Sequence, residues 1–269
     1  MNSEGIKKHI VNWLTDYVTK SKTKGFVIGV SGGIDSAVTS TLGALTGLPL
    51  ICVEMPIHQD QKQVTRALNH IAFLKANFQN VTSIKTDLTP IFGSFSNSVL
   101  QIDEINEDGQ KKLALANVRA RLRMTTLYYH AQINNYLVLG TGNKVEDFGV
   151  GFFTKYGDGG VDLSPIADLV KSEVFELGNH LGINNDILSA PPTDGLWGDD
   201  RTDEDQIGAT YDELEWAMDM VEKGIFDVTK FTTRQQEVFE IYTRLNTINQ
   251  HKMQSIPVCK IPEKIKKRD

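Results

Sequence analysis

The chain has 269 residues, 40% of them hydrophobic and 23% charged, which are ordinary values for a globular α/β protein and allow one large domain. Its 28 lysines and arginines stand against 34 aspartates and glutamates, a formal charge of −6 that argues against nucleic acid as the main partner and leaves room for a local phosphate pocket. No apolar run approaches a membrane span, Met1 to Lys8 leads into no signal-peptide core, and two cysteines are too few for a disulfide framework or a zinc site, so a cytoplasmic location is expected.

In chain order, Asn2 or Ser3 is placed to cap a first helix with Ile6, Ile10, Trp13, Leu14, Tyr17 and Val18 at helical spacing. Val27, Ile28 and Val30 follow as a short buried strand, and Ser31-Gly32-Gly33-Ile34-Asp35-Ser36 turns it into a helix carrying Ala37, Val38, Leu42 and Leu45. Leu50 to Val53 is a second strand, with Cys52 a small core residue. Gln61 to Asn77 is a third helix with Val64, Leu68, Ile71, Ala72 and Leu74 inward, and Val81 to Ile84 a third strand. Thr86 to Pro90 starts another helix, and Gln101 to Gly109 reads as an acidic exposed loop.

Lys111 to Asn134 is a long helical pattern, and Tyr136 to Gly140 another buried strand. Thr141 to Asp162 is glycine-rich and without periodicity, which in a connection this long points to function or mobility. Pro165 to about Leu181 reads as a helix, Ala190 to Trp197 as a turn-rich loop, and Tyr211 to Gly224 and Phe231 to His251 as helices before a frayed tail from Lys260 to Asp269. Alternating strands and helices predict a doubly wound parallel sheet of five-stranded type, flanked by helices, with a helical C-terminal part.

In such sheets ligands bind beyond the carboxyl ends of the strands, where both the Ser31 to Ser36 turn and the Thr141 region lie. The glycines permit positive φ and close approach, and the free N–H groups opening the next helix suit an anion. The turn lacks the lysine of a Walker A loop and the spacing of the dinucleotide fingerprint. Glycine content alone also suits an ordinary strand-to-helix turn.

Ser31-Gly32-Gly33-Ile34-Asp35-Ser36 resembles the pyrophosphate loop of the N-type ATP pyrophosphatases, of the adenine nucleotide alpha-hydrolase-like fold, which split ATP into AMP and pyrophosphate to form an adenylate. Asn117 to Met124, Leu139 to Glu146, Gly151 to Gly160 and His251-Lys252 narrow this to a resemblance to the NAD synthetase family across nearly the whole chain. The resemblance implies amidation of deamido-NAD with ATP, magnesium and a nitrogen donor.

It also implies roles for particular residues. Gly29, Val30, Ser31, Gly32, Gly33, Ile34, Asp35, Ser36, Thr141, Lys171 and Thr193 would contact ATP. Arg121, Lys155, Asp162, His251 and Lys252 would bind deamido-NAD, Asp35 and Glu146 would hold magnesium, and Lys171 and Asp158 would be catalytic, Asp158 towards the incoming ammonia. Without the resemblance, Asp35 suits a helix start, Glu146 a solvated loop acid, Thr141 and Thr193 turn caps, Lys171 a solvent-facing helical lysine and His251-Lys252 a surface pair.

The resemblance further implies one synthetase domain over residues 1–269 without a glutamine amidase domain, hence ammonia as donor, and a homodimer with the dinucleotide site partly across the interface. Phe148 to Gly160 is expected to be a lid that shields the adenylate. Two departures stand out. Glu54 occupies a place where a basic residue is expected to help bind ATP, and Glu146 to Lys155 is one residue longer than in many relatives. The competing readings are another ammonia-dependent adenylating ligase, GMP-synthetase-like, and a nucleotide sensor without turnover. The Phe152 to Gly160 segment argues against the first, and Asp35, Glu146 and Lys171 argue against the second.

Overall fold

The computed structural model describes residues 1–99, 108–193 and 202–266. The first helix, α1 (Ser3–Ser21), is capped by Asn2, whose Oδ1 accepts from the Gly5 N–H at 3.0 Å. It buries Ile10, Leu14 and Val18, which lie four apart; Trp13 and Tyr17 belong to the neighbouring row and face solvent.

Strand β1 (Phe26–Gly29), helix α2 (Ile34–Leu45), strand β2 (Leu50–Glu54), helix α3 (Gln61–Asn77) and strand β3 (Val81–Lys85) follow as two strand–helix–strand units with parallel pairing. Helices α4 (Thr89–Val99) and α5 (Asp108–Asn134) then lead to strand β4 (Leu137–Val138). The expected loop at 101–107 lies outside the described residues, and Asp108 and Gly109 already belong to α5.

The sheet is parallel, in the order β3-β2-β1-β4, with Phe26 opposite both Leu50 and Leu137. It has four strands among the described residues rather than five. A fifth position survives as one parallel bridge between Leu139 and Leu163. Pro165 follows two residues later, has no N–H to donate, and ends the ladder there. Residues α1, α2, α3 and the later helix α6 (Lys171–His180) pack on one face around Phe26, Ile28, Leu42, Leu50 and Leu177, while α4 and α5 cover Val27, Val53 and Val138 on the other.

Two further expectations are corrected. The helix placed from Pro165 begins only at Lys171, because residues 163–169 stay tied to the sheet edge and to Lys144, whose N–H donates to the Leu169 carbonyl at 2.8 Å. The connection from Thr141 contains a π-helix (Lys144–Val150) capped by Asn143, whose Oδ1 accepts from the Glu146 N–H at 3.1 Å. The π-helix overlaps the start of the Glu146 to Lys155 interval, sharing residues 146–150 with it.

The C-terminal part adds α7 (Asn185–Leu188), α8 (Asp203–Ile207), α9 (Tyr211–Glu222), a 3₁₀ turn (Val228–Lys230), α10 (Thr233–Met253) and α11 (Glu263–Lys266). A separate apolar cluster of Val145, Val150, Leu214, Met218, Phe239 and Tyr242 packs α9 and α10 against the π-helix. Part of the loop expected over Ala190 to Trp197, from Asp194 on, and the last three residues of the tail lie outside the described residues. No described helix is long and apolar enough to cross a membrane.

Candidate active site

The turn between β1 and α2 is shaped by its own hydroxyls. Ser36 Oγ accepts from the Ser31 N–H at 3.2 Å and donates to the Gly33 carbonyl at 3.0 Å, and the two seryl oxygens lie 3.1 Å apart. Gly32 has φ +83°, and a Cβ there would meet the Gln63 carbonyl oxygen at 2.5 Å, so position 32 requires glycine. Arg66 of α3 fixes the same turn by donating from Nε to the Gly32 carbonyl at 3.1 Å. Gly33 is the N-cap of α2 and brings no side-chain cap, so the first N–H groups of the helix face the cleft beside Asp35.

Opposite the turn, three elements distant in sequence deliver a buried ion cluster. Lys171, first residue of α6, places Nζ 2.6 Å from Asp35 Oδ2 and 2.9 Å from Glu146 Oε1. Its side chain is 3% exposed, so this ammonium belongs to the cluster and not to solvent. Burial alone would lower the Lys171 pKa; the charges and hydrogen bonds of Asp35 and Glu146 more than reverse this and raise it, so the residue stays protonated. Glu146 ends below the usual carboxylate range, because Lys171 and the Tyr211 hydroxyl together outweigh the larger single effect of burial.

Tyr211, a residue with no sequence motif, completes the cluster from α9. Its hydroxyl donates to Glu146 Oε1 at 2.5 Å and lies 3.2 Å from Asp203 Oδ2, and Lys171 Nζ sits 4.8 Å over its ring. Asn143 also joins, donating from Nδ2 to Asp35 Oδ1 at 3.3 Å. Asn143 precedes Glu146 by three residues, which as an N-cap pattern was a legible signal; Tyr211 had none.

All of this opens into a cleft of about 760 Å³, a size suited to a nucleotide-sized ligand. Gly29, Val30, Ser31, Gly33, Ile34, Asp35, Ser36, Thr141, Glu146, Lys171 and Thr193 line it, while Gly32 lies behind the turn it shapes. Two further acids line this end of the cleft, and their surroundings disfavour the charged form. Asp147 is raised well above its ordinary pKa by burial and then by the charges of Glu146, Asp158 and Asp35, and Asp158 is raised chiefly by desolvation. Asp158 Oδ1 accepts from the Thr154 N–H at 3.0 Å, which orders the glycine-rich turn around it.

The far wall is basic. Arg121 donates to the Lys155 carbonyl at 3.3 Å, Lys155 Nζ donates to the His251 carbonyl, and Lys252 Nζ donates to the Gly151 and Phe153 carbonyls at 2.8 and 2.9 Å. The C-terminal end of α10 thus straps the Gly151 to Phe153 segment, and Arg121, Lys155, His251 and Lys252 all line the cleft. Asp162 does not. Its carboxylate accepts from the Tyr128 hydroxyl at 3.0 Å and the Val138 N–H at 2.8 Å on the outer side of β4.

Arg123, two residues from Arg121, was not singled out for a role. It donates to the Met55 carbonyl at 3.1 Å and to Gln59 Oε1 at 2.7 Å, and burial together with the charge of Arg119 pulls its pKa down to about 10. It braces the chain leaving β2.

Asp35 and Glu146 converge on one buried cation, showing that their oxygens share a focus. Among the described residues no group of three or more His, Cys, Asp or Glu forms a metal cage. Two hard carboxylate oxygens beside a phosphate cradle fit magnesium, which completes its shell with phosphate oxygens and water. An uncapped helix N-terminus at a β1 carboxyl end, faced by a lysine and two carboxylates, is the arrangement of an α/β protein that binds a phosphorylated ligand.

The NAD synthase family model matches residues 6–256, and the chain belongs to that family. An NH(3)-dependent NAD(+) synthetase of Carboxydothermus hydrogenoformans is 36% identical over 242 residues, 88% of this chain and 93% of its own. The structure of an NMN synthetase from Francisella tularensis superposes with a TM-score of 0.81 at 33% identity, covering 97% of this chain and 99% of that one. An NH3-dependent NAD synthetase from Campylobacter jejuni shares the fold, with a TM-score of 0.76 at 23% identity over 97% of this chain and 100% of its own. Family membership sets aside the GMP-synthetase-like ligase.

Proposed function

We propose that this protein is an ammonia-dependent NAD(+) synthetase, converting deamido-NAD, ATP and ammonia to NAD, AMP and pyrophosphate. The observation that carries the reading is the convergence of Lys171, Asp35 and Glu146 at the mouth of the Ser31 to Ser36 turn. The nicotinate carboxylate oxygen attacks the α-phosphorus of ATP, the bond to the bridging oxygen breaks, and pyrophosphate leaves into the turn. The α2 N–H groups and Lys171 stabilise the charge that develops there. Ammonia then attacks the adenylate carbonyl and gives up a proton towards Asp158, and AMP leaves with its carboxyl oxygen.

Asp35 and Glu146 would hold magnesium, which when bound supplies charge neutralisation to the phosphate oxygens. Thr141 and Thr193 are assigned to ATP, and Arg121, Lys155, His251 and Lys252 to the dinucleotide. The Phe148 to Gly160 segment is assigned as the wall that keeps water from the adenylate. Residues 1–269 are assigned to one synthetase unit with ammonia as donor, in keeping with the NH3-dependent names of the Carboxydothermus and Campylobacter proteins.

Asp162, outside the cleft of its own chain, is assigned to the substrate through a homodimer. Exposed apolar pairs support an interface there: Ile91 and Phe95 on α4, Tyr129 and Ile133 on α5. The reading includes a cytoplasmic location, supported by two free thiols, Cys52 and Cys259.

The Francisella similarity favours a second acceptor, nicotinate mononucleotide, which carries the same carboxylate and lacks the adenylyl half. The test is incubation with ATP, magnesium, ammonium and each acceptor, with amide product and AMP detected by mass spectrometry. NAD and AMP together support the main reading, and a larger kcat/KM for the mononucleotide moves the assignment to that acceptor. No AMP with either acceptor would sink the ligase reading.

A further inference from the structure

Glu54 ends β2, is 4% exposed, and neither of its carboxylate oxygens has a hydrogen-bond partner among the described residues. The neighbouring cation is Lys85, its register partner on β3, whose Nζ stands 3.6 Å from Oε1 and whose own side chain is 60% exposed. A carboxylate taken from water without hydrogen bonds is costly, and a largely solvated ammonium beyond hydrogen-bond distance offsets little of that cost. Such a group is kept for a ligand more readily than for the fold.

Its position narrows the ligand. Glu54 lines the cleft at the carboxyl end of the strand beside β1, and the Val30 N–H that leads into the phosphate turn donates to the Val53 carbonyl at 3.1 Å. Alternation along β2 puts Glu54 on the same face as Cys52, which packs with Ala67 and Ile71 of α3. A carboxylate only accepts, so phosphate and nicotinate carboxylate, both anionic acceptors, are repelled. The donors that ATP carries away from its phosphates are the ribose hydroxyls and the adenine amino group.

Adjacent parallel strands lie about 4.8 Å apart, and in dinucleotide-binding sheets, whose glycine fingerprint this turn lacks but whose placement of β2 beside β1 this sheet shares, an acid at the end of the second strand, about 20 residues beyond the phosphate turn, meets the sugar attached to those phosphates. Glu54 stands at the corresponding distance from Gly33 in this chain. We propose that Glu54 is a specificity-determining residue that accepts hydrogen bonds from the ribose hydroxyls of ATP. This assignment rests on the ligase reading above.

The test measures AMP formation by the full chain with ATP, 2′-deoxy-ATP and 3′-deoxy-ATP, in the wild type, Glu54→Gln and Lys85→Ala. The wild type is expected to prefer ATP over at least one deoxy analogue by about tenfold to a hundredfold in kcat/KM, the size of a hydrogen bond to a charged group. In Glu54→Gln that preference falls to about threefold or less, because ATP loses and the analogue does not. Lys85→Ala keeps the preference. The ligand-free Glu54→Gln protein melts at a higher temperature than the wild type, since a buried charge without hydrogen bonds is gone; a role confined to the Lys85 ion pair predicts a lower one.

A wild type that makes AMP from ATP and treats both analogues alike overturns the proposal, and so does an undiminished preference in Glu54→Gln. A wild type that makes no AMP from ATP overturns the ligase reading itself, and with it the assignment that rests on it.

Discussion

Lys171, Asp35 and Glu146 show how one residue acquires a role from its surroundings. Removing one member of a buried charged cluster costs far more than the pair contributes net, because the others stay buried. Asp35→Asn keeps the shape and the Asn143 contact and removes one charge from the Lys171 ammonium. AMP formation is expected to fall by about 10²-fold or more while the circular dichroism spectrum is retained; near-normal turnover would refute its proposed metal role. Tyr211→Phe preserves the ring under Lys171 and deletes only the hydroxyl that Glu146 Oε1 accepts. Loss of a bond to a charged group predicts about 1.5–3 kcal/mol less stability in urea unfolding. A fall in kcat is expected with it, and unchanged kcat together with unchanged stability would show that the hydroxyl holds nothing.

Helices and turns were legible to the extent that their own residues fix them. The apolar pattern of α3 gave its ends, yet the buried face is Gln63, Ala67, His70, Ile71 and Leu74, with Leu68 exposed. Periodicity alone favours the large aliphatic residue; packing against α2 favours the smaller Ala67 and admits His70, which has Ser40 Oγ 2.9 Å from its Nε2. The glycine turn is more constrained than its composition suggested. Gly32→Ala adds left-handed strain of about 1–2 kcal/mol and a contact with the Gln63 carbonyl. Measured KM for ATP is expected to rise about tenfold or more, with a lower melting temperature; normal values of both would mean that the turn relaxes freely.

Across the whole molecule, the buried histidine links packing to pH. Burial lowers the His70 pKa to about 4 from its ordinary 6.5, so the folded chain resists a proton that the unfolded chain accepts. Its stabilising contribution is present above pH 6.5 and is lost as the pH falls through 4, about 3 kcal/mol in all. Urea midpoints should drop across that window, and His70→Gln should remove that part of the drop; an equal drop in the variant would place the acid sensitivity elsewhere. The proposed dimer is tested at the same scale. Ile133→Glu places a charge on the exposed α5 row, and light scattering should show a shift from dimer to monomer. A wild type that is already monomeric would remove the interface from the proposal.

The sequence by itself determined the parallel α/β order, the anion turn after β1 and the family, because strand runs, helix starts and glycine turns are set by neighbours along the chain. Only the structure shows that the segment after Asn143 winds as a π-helix. Tertiary structure alone decided that a helical lysine at 171 is buried between Asp35 and Glu146, that Tyr211 supports them, and that Asp162 faces away from the cleft. It reduced the fifth strand to the bridge beside Leu163 and buried Glu54 without a hydrogen-bond partner among the described residues. These outcomes depend on which distant elements meet, and packing of faces between helices and sheet sets that, with no trace in local spacing.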